Sequence, residues 1–524
     1  MELYSLKFFL FVLITIIASH TVFRRRQWIC LLAASLVFYY MEGAGSFGFI
    51  LLTAFSVWAG TNAMTKISAE AARKRKAEGI THEEKKRLKK QAGTRKKLIL
   101  LAVLLLNFGV LAWLKYWNVL FPSVLSGHLL LPLGISFYTF QSVSCLIDVC
   151  NDKYPAEKNF FRFLLFVSWF PQLIQGPINR YDKMAPQLFA EHRFDREKAK
   201  RAALLFLFGA MKKYAIADML SGDIAAVLDG SLKDVPGSMI VFSILLYSAQ
   251  QYADFSGGID MVMAVSQLFG VDMMPNFRQP YFSTSLGDFW RRWHISLGAW
   301  MRDYVFYPFA LLKPMQNFGK WCSKHLGKHF GRVLPAGIAN LLVFLIVGVW
   351  HGAQMHYVVW GLYNGIVIAL SDILQPAFQR LSAAMHLRTE SKGMHVFRVI
   401  RTFVIVNIGW YFDRITDFGE SLTGLANTFF SFRARDFLTS FEGKILNVNV
   451  QKPLYTLCAM AIAACGIAVV AADSVMKEKG VDVFAHLEKR RLPVRFAVVY
   501  IMAFLLLGSF MFTESAGGFL YANF

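Results

Sequence analysis

No charged side chain interrupts Leu98–Leu114 or Val333–Trp350, and neither run alternates polar with apolar residues. Lipid offers no partner to an exposed peptide N–H or C=O, so only helices and closed barrels cross it. Barrel strands are short segments of about ten residues with alternating hydrophobicity. These runs are longer and unbroken, and the chain is therefore expected to be an all-α, multi-pass integral membrane protein. Composition agrees. Of 524 residues, 56% are hydrophobic and 17% charged, against about 25% charged in soluble domains.

The net charge is +22. In a soluble chain that would point to nucleic acid, but here the basic residues gather in short loops between apolar runs. That distribution is the positive-inside pattern and suits an anionic cytoplasmic leaflet, so no nucleic-acid partner is expected. Leu6–Phe23 reads as a first membrane helix and not as a cleavable leader, because it is too long and lacks a small-residue cleavage site. Arg24-Arg25-Arg26 follow it, and the stretch 66–97 after a third span is densely basic. Both clusters give one orientation, with the N-terminus outside. Carried to the end, the alternation predicts about twelve crossings, extracytoplasmic N- and C-termini, and a single domain over 1–524. Phe160–Pro177 is apolar but broken by Pro171, Gly176 and Pro177, and is expected to be re-entrant within the protein. Asn276–Tyr307 is mixed and aromatic, and is expected to be interfacial. Cys30, Cys145, Cys150, Cys322, Cys458 and Cys465 form no C-x-x-C pair and read as small buried hydrophobes.

Within the apolar run Val347-Gly348-Val349-Trp350-His351-Gly352 one ionisable residue stands out. An ionisable group at membrane depth costs roughly 2.5–3.5 kcal/mol near a helix centre on insertion scales, and such residues line water paths or carry chemistry. A histidine held by a backbone carbonyl is the plainer reading. His325 and His329 have the helical spacing of a zinc pair, but lysines surround them and no carboxylate is near, so no metal site is expected. His351 and His356 are about 140° apart on a helix and do not converge. Arg291 and Arg292 beside Trp290 and Trp293 could bind phosphates and stack on a purine, but interfacial anchoring to lipid headgroups is the preferred reading. No nucleophile elbow is present. An imidazole titrates near neutrality, so His351 can act as a general base for a hydroxyl attacking a thioester. His294 is a second candidate.

Several motifs occur together in order. They are Leu131-Pro132-Leu133-Gly134-Ile135-Ser136-Phe137, Phe170-Pro171-Gln172-Leu173-Ile174-Gln175-Gly176-Pro177, Tyr252-Ala253-Asp254-Phe255-Ser256-Gly257, Asp288-Phe289-Trp290-Arg291-Arg292-Trp293-His294, and Trp350-His351-Gly352. Together they resemble the membrane-bound O-acyltransferase family, in its bacterial alginate and peptidoglycan O-acetylase branch, most strongly over 98–370. The resemblance implies a ring of helices around a central pore in the bacterial cytoplasmic membrane. It implies an acyl donor, acetyl-CoA, entering from the cytoplasm as substrate and not as bound cofactor. The acceptor would be an exported polysaccharide or peptidoglycan, with an extracytoplasmic transferase partner. By the same resemblance His351 is the catalytic histidine and His294 the second histidine. Asp254, Asp288, Trp290, Arg291, Arg292, Trp293 and Trp350 belong to the substrate-binding motifs. The tail Phe519-Leu520-Tyr521-Ala522-Asn523-Phe524 resembles the aromatic end of this branch and makes Tyr521 a candidate acyl carrier, or else an interfacial anchor. The sequence departs from the family at Tyr307-Pro308-Phe309-Ala310, where a glycine-rich turn is usual, and at Asn364, where many relatives carry histidine. D-Alanyl transfer to teichoic acid and a non-enzymatic transporter or flippase are the alternative readings.

Overall fold

The computed structural model describes residue 3 and residues 5–120, 131–446 and 453–512. Among them the regular structure is helical, apart from an isolated antiparallel bridge between Phe277 and Trp293. The tail 519–524, with Tyr521, lies outside the described residues. The chain packs as two compact units, one made of residues up to Ala203 with Val262–Met274, the other of Leu204–Met261 and the chain from Pro275 on.

The first unit contains α1 (Leu6–His20), α2 (Gln27–Glu42), α3 (Phe47–Arg75), α4 (His82–Leu120), α5 (Ile135–Cys150), α6 (Phe160–Ser168), α7 (Phe170–Gln175), α8 (Tyr181–Phe189) and the start of α9 (Arg196–Ala210). The basic stretch 66–97 is a helical hairpin, because α3 and α4 simply continue past their apolar segments. The second helix starts on a capping box. Thr81 N donates to Glu84 Oε2 (2.9 Å) and Glu84 N to Thr81 Oγ1 (3.2 Å), which satisfies two end donors reciprocally.

The broken segment 160–177 is buried throughout its second half, and its helix stops at Trp169. A break leaves carbonyls without their N–H four residues on. Two glutamines replace it, since Gln141 Nε2 and Gln172 Nε2 both donate to Phe166 O at 2.7 Å. Asn179 Nδ2 in turn donates to Gln172 Oε1. Gly134, which caps α5 with φ +68°, has no room for a side chain because a Cβ would lie 2.5 Å from Leu173 O.

The second unit holds the rest of α9, a π-helical turn Met211–Asp218, α10 (Met219–Leu228) and most of α11 (Gly237–Leu268). Then come α12 (Leu286–Arg292), α13 (Ile295–Met301), α14 (Tyr307–Ala310), α15 (Lys313–His325), α16 (Lys328–His351) and α17 (Met355–Ile373). It closes with α18 (Gln375–Ala384), α19 (Lys392–Arg414), α20 (Phe418–Phe430), α21 (Phe437–Phe441), α22 (Pro453–Glu478), α23 (Val483–Glu488) and α24 (Leu492–Ser509). Helices α16 and α17 form a tight hairpin. A Cβ on Gly348 would sit 2.5 Å from Tyr357 O, and one on Gly361 would collide with Phe344 O.

Five helices, α3, α4, α16, α22 and α24, are long and apolar enough to cross a bilayer, or six if α17 and α18, bent by 54°, count as one span. Twelve such helices are not seen among the described residues. Helices α11 and α19 are long enough but too polar or charged along their length. Helices α1, α2 and α5 are apolar but have 15 or 16 residues, which at 1.5 Å per residue is about 22–24 Å, short of the ~30 Å hydrocarbon core. Within Asn276–Tyr307, Phe289, Trp293 and Trp300 are buried while Tyr307 is exposed.

Candidate active site

A cavity of about 550 Å³ lies in the second unit among α12, α13, α16 and α17. This is within the range of small-molecule sites. Asn340, Val343, Phe344, Val347 and His351 supply one wall, and their spacing is a single face of α16. Trp290, Trp293 and His294 supply another, from the sharp turn between α12 and α13. The two histidines singled out from sequence thus line one cavity. Its rim carries Arg291, with a side chain 70% exposed, together with Arg302 and the exposed Asp372, so the cavity reaches the surface there.

His294 sits at φ +46°, between the two helices. The segment 276–278 holds it. Ile295 N donates to Asn276 O (3.0 Å) and Arg278 N to Arg292 O (2.9 Å). Asn276 Oδ1 accepts from Ser296 N (3.1 Å) and Ser296 Oγ (2.9 Å) and faces His294 Nδ1 at 3.1 Å. A carbonyl oxygen can only accept, so Nδ1 carries the proton and Nε2 keeps the lone pair of a neutral ring. Burial pushes the imidazole down to about 3, since a charged ring would be stripped of water. His294 is therefore neutral at any working pH. Phe255 meets its ring edge-on at 4.8 Å between centroids.

His351 is the last residue of α16 and is 5% exposed. Its ring packs edge-on against Trp360 (4.8 Å) and Trp350 (5.0 Å). Trp350, buried and outside the cavity lining, also lies 6.2 Å from His294. Trp290 closes the aromatic wall against Trp360 at 5.5 Å. Its Nε1 donates to Asn364 Oδ1 (3.0 Å), and Asn364 Nδ2 donates to Trp360 O (2.8 Å). Asn364 thus ties the cavity's Trp290 to the backbone of α17. In the sequence it stood out as a departure from the family pattern and not as a site residue. Asn340 and Arg302 carried no such signal.

The remaining motif residues go elsewhere. Asp288 and Arg292 pair with each other (3.1 Å), and Arg292 also binds Glu478 (2.8 Å), so Arg292 is neutralised away from the cavity. Asp254 binds Lys213 (2.7 Å), which also holds Asp218 (2.7 Å). Lys212 holds Asp260 (2.6 Å). These lysines sit on the π-helical turn inside an apolar run, and their place opposite the two carboxylates of α11 was not read from the sequence. His325 and His329 do not share a helical face, because the helix breaks at Leu326 and Gly327, whose φ is +98°. His356 is engaged by Phe412 O (2.8 Å) and Gln354 Oε1 (2.7 Å).

The chemistry open to this cavity is proton transfer to an imidazole nitrogen within largely apolar walls, with Arg291 and Arg302 beside Asp372 at the rim. Compared with known proteins, residues 110–409 match the sequence profile of MBOAT, the membrane-bound O-acyltransferase family. The probable alginate O-acetylase AlgI of Pseudomonas syringae pv. tomato is 37% identical over 294 residues, which is 56% of this chain and 50% of that protein. The peptidoglycan O-acetyltransferase of Helicobacter pylori is 28% identical over 419 residues, 71% of this chain and 74% of that protein. The teichoic acid D-alanyltransferase of Bacillus subtilis is 26% identical over 288 residues, 53% and 67%. The chain spans about half the length of the Pseudomonas alginate O-acetylases it matches.

Proposed function

This chain belongs to the membrane-bound O-acyltransferase family, and on that premise we propose that it transfers an acetyl group from cytosolic acetyl-CoA toward hydroxyls of an exported polysaccharide or peptidoglycan. The observation that carries the reading is the cavity shared by His294 and His351. In the proposed step His351 takes the proton of an acceptor hydroxyl. The oxygen forms the new ester bond at the thioester carbonyl, the carbon–sulfur bond breaks, and the thiolate leaves and is reprotonated. A general base of this kind contributes about 10²–10⁴-fold. His294, fixed as a neutral ring with Nδ1 towards Asn276, contributes its Nε2 lone pair as an acceptor that orients the reactants. Arg291 and Arg302 at the rim suit the phosphates of the donor.

Tyr521 belongs to the proposal as an intermediate acyl carrier. A phenol has a pKa near 10, so its ester still passes an acyl group on to an alkyl hydroxyl. The cytoplasmic membrane as location, outward-facing termini, the pore through which the acyl group passes and an extracytoplasmic partner that completes transfer are parts of the same proposal.

His351→Ala is expected to lower O-acetylation of the cell envelope, measured by mass spectrometry of released acetate, by about 10²-fold or more, with the protein still inserted. Retained acetylation removes His351 from the mechanism. Tyr521→Phe keeps an anchor and loses a carrier, so loss of acetylation supports the carrier and full activity excludes it. The similarity to a D-alanyltransferase favours a second reading, D-alanyl transfer from a carrier-protein thioester. Supplying purified protein with each donor separately distinguishes the two by which ester forms.

A further inference from the structure

A second cavity, of about 380 Å³, lies in the first unit at the turn between α1 and α2. Arg25, Arg26, Trp28, Arg162, Phe189 and Glu191 are among its lining residues. The Arg162 guanidinium is held between two rings, its Cζ 5.5 Å from the centroid of Trp28 and 5.2 Å from that of Phe189. Its Nε is buried and has no hydrogen-bond partner among the described residues. Ion pairs of the first unit such as Lys96–Asp152 and Lys153–Asp148 do not include these three arginines. Three guanidinium groups and one carboxylate, Glu191, around one cavity leave an excess of positive charge that attracts an anion.

The walls of this cavity are fixed. Gln27 Nε2 donates to His192 O (2.9 Å) and His192 N donates to Gln27 Oε1 (2.7 Å). Phe194 packs edge-on against His20 at 6.0 Å. The cavity also opens at the N-terminus of α2, where Arg26 supplies no side-chain cap. That end carries the positive pole of a helix of 16 residues. The helix that precedes the turn, α1, exposes Leu10, Leu13, Ile14 and Ile17, whose spacing is one helical face, and the turn exposes Val22. An apolar helix face and a basic cup are thus joined by one short turn of chain.

We propose that this cavity binds the phosphate of an anionic phospholipid, with the acyl chains lying along the exposed face of α1. The guanidinium forks match phosphate oxygens. Glu191 at the rim opposes a second negative charge and accepts from a headgroup hydroxyl, which favours a singly charged phosphodiester such as phosphatidylglycerol. The shared chemistry with free inorganic phosphate is the phosphate oxygen, and the apolar face of α1 is what selects the lipid.

The test uses the full chain in a neutral detergent, titrated separately with phosphatidylglycerol, phosphatidylcholine and inorganic phosphate while thermal unfolding is followed. Phosphatidylglycerol is expected to raise the midpoint saturably, and the other two are not. Arg162→Gln is expected to weaken the apparent affinity about fivefold, and the double variant Arg25→Gln/Arg26→Gln by about that factor for each arginine removed. Arg25 and Arg26 are exposed, so the double variant decides the matter even if Arg162→Gln fails to fold. Unchanged affinity in the double variant, or equal binding of phosphatidylcholine, overturns the proposal. So does a saturable shift with inorganic phosphate alone, which would assign the cup to a free anion.

Discussion

At the residue scale, His294 shows how a neighbour sets a protonation state. Asn276 Oδ1 already accepts from Ser296, so it also orients the His294 ring with Nδ1 as donor. Burial then holds the folded ring neutral down to about pH 3, whereas in the unfolded chain a histidine titrates near 6.5. Below about pH 6.5 the unfolded chain binds a proton that the folded chain refuses, so stability falls as pH falls from there towards 3 and is flat above it. His294→Asn tolerates the left-handed backbone and removes the titration. Thermal midpoints measured against pH in detergent should lose part of their acid slope in this variant; an unchanged slope would show that His294 is not its source.

At the element scale, the position of His351 follows from the α16–α17 hairpin. Gly348, one turn earlier, lies against the backbone at Tyr357, and that close approach brings Trp360 onto the His351 ring. Gly348→Leu must push the helices apart, at a cost of about 1–3 kcal/mol from overpacking, and displace His351 from its cavity. The expected result is a lower thermal midpoint together with lost acylation. Gly393, with nothing near its missing Cβ, is the control, and Gly393→Ala should leave both unchanged or raise stability slightly.

At the scale of the whole molecule, the second unit commits a cluster of charges to burial. Lys213 is 2% exposed and stands between Asp218 and Asp254, which are 6% and 2% exposed. Removing one member of such a group leaves uncompensated charge, typically 3–5 kcal/mol. Lys213→Met should therefore reduce folded yield and thermal midpoint sharply. Adding Asp218→Asn and Asp254→Asn should recover much of the loss, because the variant then buries no net charge. If the single variant is as stable as the parent, these carboxylates do not depend on Lys213.

Helical class and membrane residence were legible from the sequence alone, because a peptide in lipid has no other way to satisfy its backbone and the apolar runs declare themselves locally. The break at 160–177 was legible for the same reason, from its prolines and glutamines. The family was legible from motifs, each a short contiguous string. The number of full-length spans was not, since it depends on where each helix stops and which neighbour satisfies the freed carbonyls, as Gln141 and Gln172 do at Phe166. Nor could the sequence tell that Asp254 and Arg292 are paired away from the cavity while Arg291, 3.6 Å from Asp288, stands at its rim. Contacts between segments distant in the chain leave no trace in local spacing. Only tertiary packing brings the turn at His294 and the end of α16 to one cavity, and only there do two separate imidazoles become a single candidate site.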